Sequence, residues 1–212
     1  MEAKAIIDAV LVFDQEKTAQ LVQAHLDQGA DAPAILDQAL IAAMDEVGRR
    51  FSTGVFFVPE MLMAAEAMQA GLEVLRPHLA KSDITAKGTI IIGTVRGDIH
   101  DIGKNLVSMM LECAGFNVID LGVDVNRGKF LVAAEKYQAQ IVALSALLST
   151  TMAEMKAVVA EVRKRGGGRL KTLIGGAPVT ASFADEIGAD GYSQDAAGAV
   201  SIARNLIEAT SK

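Results

Sequence analysis

The two halves of the chain use glycine very differently, and this contrast constrains the fold more than any other feature of the sequence. Residues 1–84 contain 4 of the 19 glycines, and residues 85–212 contain the other 15. Glycine-poor sequence rich in Ala, Leu and Met is typical of packed helices, whereas glycine-rich sequence with short β-branched runs is typical of alternating strands and helices. We therefore predict two domains, 1–84 and 85–212, with the polar stretch 81–88 as the linker between them.

Apolar residues in the first half recur at spacings of three and four, which indicates amphipathic helices. With the turn residues between them, these stripes predict four helices, near 2–12, 15–28, 33–52 and 59–79. Asp14 is a candidate N-cap of the second helix, Gly29 ends that helix, and Pro59 suits the first turn of the fourth. The first half is therefore predicted to be a four-helix bundle.

The second half alternates between short apolar runs and helical sequence. Five strands are predicted, at Thr89–Thr94, Asn117–Leu121, Ile141–Ser145, Leu170–Ile174 and Gly191–Tyr192. A last helix is predicted over Ala196–Ala209. Five such units indicate a flavodoxin-like (Rossmann-like) parallel sheet of five strands, in which ligands bind beyond the carboxyl ends of the strands.

Composition excludes several classes of function. The chain carries 20 basic and 26 acidic side chains, a net charge of −6, which argues against a protein that binds nucleic acid or a membrane surface. Cys113 is the single cysteine, so a disulfide framework and a cysteine-ligated metal cluster are both excluded. The start of the chain does not resemble a signal peptide, and no apolar run is long enough to span a membrane. We therefore expect a cytoplasmic protein.

The loop after the first predicted strand holds the most distinctive chemistry. It places Asp98, His100 and Asp101 within four residues, ahead of Gly103. A carboxylate two residues before a histidine can hold one ring nitrogen, which fixes the tautomer and leaves the other nitrogen to bind a metal. The loop is therefore a candidate for presenting one imidazole at the edge of the sheet.

Three motifs together give the chain a family resemblance. Asp98-x-His100-x-x-Gly103 is followed after 41 residues by Ser145-x-Leu147, and after 27 more by Gly175-Gly176. This pattern resembles the cobalamin-binding domains of the methionine synthase type. In the first half, the stretches 47–51 and 56–62 resemble the helical cap domain that precedes the cobalamin domain in that family.

The resemblance implies a corrinoid cofactor bound in the base-off, His-on mode, with methylcobalamin and cob(I)alamin as its working states. His100 would be the axial cobalt ligand, and Asp98 and Thr151 would complete a relay of hydrogen bonds behind it. Ser145, Leu147 and the Gly175-Gly176 pair would line the slot for the nucleotide tail. The remaining implied contacts of the cofactor in this domain are Thr94, Gly97, Ile99, Asp101, Ile102, Gly103, Ser149 and Tyr192.

The upper face of the cofactor requires protection, because Co(I) is easily oxidised. By resemblance, Phe51 and Val58 of the cap would cover the methyl group, with Met61 and Leu62 behind them. The cap would then have to move aside for each methyl transfer.

The whole chain resembles the stand-alone corrinoid proteins of anaerobic methyltransferase systems. That resemblance implies a methyl carrier that is not catalytic alone. It would accept a methyl group on Co(I) from a substrate-specific methyltransferase. It would then pass the methyl group to a second methyltransferase, with tetrahydrofolate or coenzyme M as acceptor. A reductive activase would rescue the Co(II) form. Methylamines, methanol, betaines and methoxylated aromatics stay open as methyl donors.

Two other functions use the same loop motifs. One is the cobalamin-binding subunit of an adenosylcobalamin mutase, although a bulky adenosyl group would collide with Phe51 and Val58 of the cap. The other is a cobalamin-sensing regulator, although such a protein needs a DNA-binding module, and residues 1–84 carry 13 acidic against 6 basic side chains.

Overall fold

The computed structural model describes residues 3–79 and 86–210, which form two compact units. One unit is built from the chain up to Leu79, and the other from most of the chain after Ala86. The predicted domain boundary between residues 84 and 85 lies outside the described residues, as do the first five residues of the predicted linker 81–88. None of the helices in the two described ranges is both long and apolar enough to cross a membrane.

The first unit is entirely helical. Its elements are α1 (Ala3–Leu11), α2 (Gln15–Asp27), α3 (Ala32–Ile35), a π-helical segment (Leu36–Ile41), α4 (Ala42–Ser52) and α5 (Val58–Leu79). The carboxylate of Asp14 accepts a hydrogen bond from the backbone N–H of Lys17, so Asp14 caps α2 as predicted. Asp31 caps α3 in the same way, and Pro59 lies in the first turn of α5.

The predicted helix 33–52 is the main difference in this unit, because it is broken into three pieces. The π-helical segment Leu36–Ile41 interrupts it, and Leu40 and Ile41 of that segment are buried. Leu40 packs against α5 at Gly71. A Cβ added to Gly71 would lie only 3.1 Å from the Leu40 side chain. The wider π-helical turn changes which side chains face this core. A sequence pattern does not show this change, because it depends on the packing of other helices.

The second unit alternates strands and helices. Its elements are β1 (Thr89–Thr94), α6 (Ile102–Cys113), β2 (Asn117–Asp120), α7 (Arg127–Lys136), β3 (Ile141–Ser145), α8 (Met152–Arg165), β4 (Lys171–Gly175), α9 (Ala181–Ile187), β5 (Gly191–Ser193) and α10 (Ala196–Thr210). The five strands are parallel and lie in the order β2-β1-β3-β4-β5. This order is that of flavodoxin-like sheets, so the predicted fold class is confirmed.

The register of the strands brings the motif residues to one edge of the sheet. Thr94 pairs with Ser145, Ser145 with Gly175, and Gly175 with Ser193. These four residues therefore form a single row at the carboxyl ends of β1, β3, β4 and β5. Strand β4 was predicted one residue too early, and β5 one residue too short.

Candidate functional site

The loop that carries His100 leaves the carboxyl end of β1 and is held on both sides. Gly97 has a φ of +80°, a conformation that favours glycine, and its backbone N–H donates to the Asp124 carboxylate at 2.7 Å. The backbone N–H of Asp124 in turn donates to the Asp98 carbonyl oxygen at 3.0 Å. The turn after β2 therefore shapes the first half of the loop.

The predicted pair of Asp98 and His100 is present. Nδ1 of His100 lies 2.7 Å from Oδ1 of Asp98, and the backbone N–H of His100 donates to the same oxygen at 3.1 Å. An ionised carboxylate only accepts hydrogen bonds, so in the neutral imidazole the ring proton is on Nδ1 and the lone pair is on Nε2. Asp98 is fully buried, whereas 46% of the His100 side chain is exposed. The loop thus presents an accessible imidazole whose Nδ1 is held by Asp98.

The second oxygen of Asp98 joins this loop to the one that follows β3. Oδ2 accepts from the backbone N–H groups of Leu147 and Leu148, at 2.8 and 3.2 Å, and from Oγ1 of Thr151 at 2.8 Å. Burial acts to raise the pKa of Asp98, but the hydrogen bonds from His100, Leu147 and Thr151 outweigh it and hold the pKa well below its usual range. Asp98 therefore stays ionised and keeps Nδ1 of His100 protonated.

The predicted relay residue Thr151 lies directly behind Asp98, on the side away from His100. It is buried at the start of α8, and its hydroxyl also lies 2.8 Å from the Leu148 carbonyl oxygen. A hydroxyl has one proton, so Asp98 and the Leu148 carbonyl share it. The structure thus joins Thr151, Asp98 and His100 in one chain of contacts.

Thr94, a predicted cofactor contact, is bonded to the loop of His100 in this structure. It is fully buried, and its Oγ1 donates to the His100 carbonyl oxygen at 2.9 Å. Thr94 therefore holds the backbone of the loop.

The surface around His100 is unusually apolar for an exposed region. Ile99, which directly precedes His100, is 74% exposed, and Ile102, two residues after His100, is 83% exposed. Leu147 and Leu148, from the loop after β3, are also exposed large apolar side chains. A group of exposed apolar side chains beside an accessible imidazole fits a ligand with a broad apolar face and one coordination position.

The motif glycines divide into two kinds. A Cβ added to Gly103 would meet no atom within 4 Å, so packing does not explain a glycine in the first turn of α6. Gly176 has a φ of +137°, and a Cβ there would overlap the Ala146 carbonyl oxygen. A Cβ at Gly175 would lie 3.0 Å from the Ser193 carbonyl oxygen. The fold of the backbone thus requires a glycine at position 176 and leaves little space for a side chain at position 175. At Gly103 the space is open, so a ligand could approach the backbone there.

The other predicted contacts of the second unit vary in accessibility. Ser145 is half-buried at the end of β3, Ser149 is exposed, and Asp101 is half-buried beside His100. Tyr192 is half-buried and packs against the hydrophobic core of the unit. The contacts of these four side chains with a cofactor stay predictions.

The predicted cap residues lie in the first unit, around the turn between α4 and α5. Val58 and Leu62 are exposed and Phe51 is half-buried, whereas Met61 is fully buried. The part that these four residues play in covering a cofactor stays a prediction.

Sequence reasoning missed Leu148 and Asp124, whose backbone N–H groups both donate to Asp98. The N–H of Leu148 donates to Asp98, and the N–H of Asp124 donates to the Asp98 carbonyl. Backbone donors carry no side-chain signature. The only available signal was the pair of apolar residues 147–148 directly after a strand, at a place where polar residues are usual.

Comparisons with known protein families and sequences identify relatives of this chain. Two family models, both described as a B12 binding domain, match residues 88–201 and residues 2–76. The chain is 44% identical over 197 residues to trimethylamine corrinoid protein 1 of Methanosarcina mazei, covering 92% of this chain and 91% of that one. It is also 44% identical to dimethylamine corrinoid protein 1 of Methanosarcina acetivorans over 180 residues, covering 84% of each chain.

A solved structure extends the likeness to the whole fold. The methanol:cobalamin methyltransferase complex MtaBC from Methanosarcina barkeri contains a chain that superposes with a TM-score of 0.83 and 32% identity. The match covers 97% of this chain and 79% of that chain.

Proposed function

The chain belongs to the family of B12-binding corrinoid proteins, and from this premise we propose that it is the methyl-carrying subunit of a methyltransferase system. The observation that supports this most strongly is the imidazole of His100, held at Nδ1 by the buried carboxylate of Asp98 and exposed at the carboxyl edge of the sheet. When bound, the corrinoid supplies a cobalt centre that accepts a methyl group and gives it up again.

We propose that His100 binds the cofactor through Nε2, in the base-off, His-on mode. Asp98 keeps the proton on Nδ1, so the lone pair of Nε2 is available as the axial ligand. The exposed side chains of Ile99, Ile102 and Leu147 offer apolar contact beside it. The open space at Gly103 lets a ligand approach the first turn of α6 closely.

The same residues suit a ligand that has to leave and return. When His100 is released, Nε2 can take up a proton, and the charge of the resulting imidazolium is balanced by Asp98 at 2.7 Å. Asp98 keeps its negative charge throughout because Leu147, Leu148 and Thr151 donate to its other oxygen. The protein thus stabilises both protonation states of Nε2 without moving the carboxylate.

We propose a methyltransferase specific for a methylamine as the donor partner. The MtaBC structure is a complex with a methyltransferase, and two relatives of equal identity are corrinoid proteins for trimethylamine and for dimethylamine. A second methyltransferase would take the methyl group to tetrahydrofolate or coenzyme M, and a reductive activase would restore oxidised cofactor.

Reconstitution with hydroxocobalamin and methylcobalamin tests the cofactor and its ligand. The wild-type protein is expected to retain corrinoid in equimolar amount with a base-off, His-on visible spectrum. His100→Ala is expected to lose that spectrum. His78→Ala, which removes an exposed histidine from the last turn of α5, is the matched control and should behave as wild type. A folded wild-type protein that retains no corrinoid would refute the proposal.

Methyl transfer then tests the donor. The reconstituted and reduced protein is mixed with a trimethylamine or dimethylamine methyltransferase and the matching amine, and the spectral change at the cofactor is followed. Methylation with one of these pairs, and none with a methanol methyltransferase and methanol, supports the methylamine assignment. The reverse pattern contradicts that assignment and leaves the carrier function intact.

A further inference from the structure

Lys104 is a buried charge that the proposed function does not use. It lies in the first turn of α6, four residues after His100, and only 2% of its side chain is exposed. Its Nζ forms an ion pair with Oδ2 of Asp120, at the end of β2, and donates to Oδ1 of Asn105 at 2.6 Å. Both partners lead back to the loop of His100.

The first connection runs through the turn after β2. Oδ1 of Asp120 accepts from the backbone N–H of Gly122 at 2.8 Å, and the Gly122 carbonyl accepts from the backbone N–H of Thr94 at 3.0 Å. Oγ1 of Thr94 then donates to the His100 carbonyl oxygen. Lys104 is thereby linked to the backbone of His100 through three consecutive contacts beyond Asp120.

The second connection is shorter and stays within α6 and its start. Nδ2 of Asn105 donates to the Asp101 carboxylate at 3.2 Å, and its backbone N–H donates to the Asp101 carbonyl at 2.7 Å. Asp101 directly follows His100 in the chain. The first connection from Lys104 therefore ends at the His100 carbonyl oxygen, and the second ends at the residue that follows His100 in the chain.

We propose that Lys104 is a positioning residue for the axial ligand. This inference rests on the proposed function of His100 and adds a second support for it. Asp98 fixes the imidazole from the β3 side, where Leu147 and Thr151 donate to it. Lys104 fixes the backbone of the same loop from the β2 side. Since β1 lies between β2 and β3, His100 is held from both neighbouring strands.

A purely stabilising role accounts less well for this pair. Asp120 is 37% exposed, while Lys104 is almost fully buried, so the lysine loses hydration that a half-exposed carboxylate only partly restores. Apolar side chains of similar volume would usually serve fold stability equally well at such a place. The ion pair instead fixes the positions of two charged groups. Lys104 also donates to Asn105, and Asp120 also accepts from Gly122, so each partner is bonded to a residue on one of the two connections described above.

The test uses Lys104→Met, which keeps the length of the side chain and removes its charge. Lys156→Met is the matched control, because Lys156 also forms an ion pair, with Glu186 at 3.1 Å, but on an exposed face of α8. Each protein is reconstituted with hydroxocobalamin, and the pH at which the His-on spectrum disappears is measured. A proton competes with cobalt for Nε2, so ligation that is about tenfold weaker raises this midpoint by about one pH unit.

The expected result is a midpoint raised by about one unit in Lys104→Met and unchanged in Lys156→Met. Asp120→Asn removes the same ion pair by changing its more exposed partner and should also raise the midpoint. If Lys104→Met does not fold, the midpoint of Asp120→Asn tests the inference in its place. Midpoints equal to wild type in the folded variants overturn the inference and leave the proposed function standing.

A measurement without cofactor separates the two proposals. Hydrogen exchange of the His100 backbone N–H, which donates to Asp98, is followed in the cofactor-free proteins. Faster exchange in Lys104→Met than in Lys156→Met supports the conclusion that Lys104 holds the His100 backbone. A wild-type protein without a His-on spectrum would instead overturn the proposed function, and with it the role of Lys104 toward an axial ligand. Equal exchange rates in the two variants count against the positioning role.

Discussion

Replacing Asp98 by Asn should move the ring proton of His100 from Nδ1 to Nε2. The wild-type carboxylate accepts five hydrogen bonds, two at Oδ1 from His100 and three at Oδ2 from Leu147, Leu148 and Thr151. An amide has one accepting oxygen and one donating NH₂ group, so it can satisfy only one of these two sets. The result depends on which way the amide faces.

The count of unpaired donors decides between the two orientations. With its oxygen toward Leu147 and Leu148, the amide leaves one buried donor unpaired, the backbone N–H of His100, and its NH₂ can donate to Nδ1 once Nδ1 has lost its proton. With its oxygen toward His100, it leaves two donors unpaired, the N–H groups of Leu147 and Leu148. Each unpaired buried donor costs about 1–3 kcal/mol. The first orientation is therefore favoured by about fivefold to a hundredfold or more.

The proton position is measured directly by ¹⁵N–¹H correlation spectra of the imidazole in the cofactor-free protein. We expect the neutral imidazole to carry its proton on Nδ1 in the wild type and on Nε2 in Asp98→Asn, with corrinoid affinity about 10- to 100-fold lower in the variant, as is typical for loss of a group that orients a metal ligand. Asp14→Asn is the matched control, since Asn also caps a helix well and Asp14 lies at the start of α2. A variant in which Nε2 stays unprotonated would refute the reasoning.

Three further results are expected. Gly103→Ala should raise the free energy of unfolding of the cofactor-free protein in urea by about 0.5–1 kcal/mol, because alanine favours a helix, and should weaken corrinoid binding. Gly176→Ala should lower the free energy of unfolding by about 3 kcal/mol or more in the same experiment, because the added Cβ overlaps a carbonyl oxygen. Thr151→Val should lower the free energy of unfolding by about 1–3 kcal/mol and Thr151→Ser by much less, since only the serine keeps a hydroxyl for Asp98; equal losses would contradict this. Asp98 has a lower pKa in the folded than in the unfolded chain, so its contribution is complete above about pH 4 and is lost as the pH falls through the folded pKa. Below about pH 4 the free energy of unfolding of the wild type should therefore fall more steeply with decreasing pH than that of Asp98→Asn, by at most about 1.4 kcal/mol per pH unit, and parallel slopes would count against this reasoning.

The fold could be predicted where local sequence decides it. Strand β1 was predicted to the residue, because Thr89–Thr94 is a buried apolar run between polar segments. The π-helical segment Leu36–Ile41 could not be predicted, because apolar spacing is nearly the same in an α-helix and in a helix with one widened turn. The need for it arises from Leu40 packing at Gly71, which is 31 residues away in the chain.

The site was predicted as far as side-chain motifs reach. Asp98 contacts both His100 and Thr151 as the resemblance implied, because each of the three is recognised by residue type and spacing. The role of Lys104 could not be predicted, since a lysine in the first turn of a helix is usually solvated, and only the fold places Asp120 within its reach. Residue type alone also could not tell that Thr94 would hold the loop from inside.

The two kinds of glycine in the site leave different traces over evolutionary time. The backbone at Gly176 excludes every side chain whether or not a cofactor binds, whereas nothing in the polypeptide itself requires a glycine at position 103. A descendant that gave up its corrinoid would be free to change His100 and Gly103 and would still keep Gly176. In a distant relative, a retained Gly175-Gly176 pair thus indicates common descent, whereas retained His100 and Gly103 indicate that the protein still binds the cofactor.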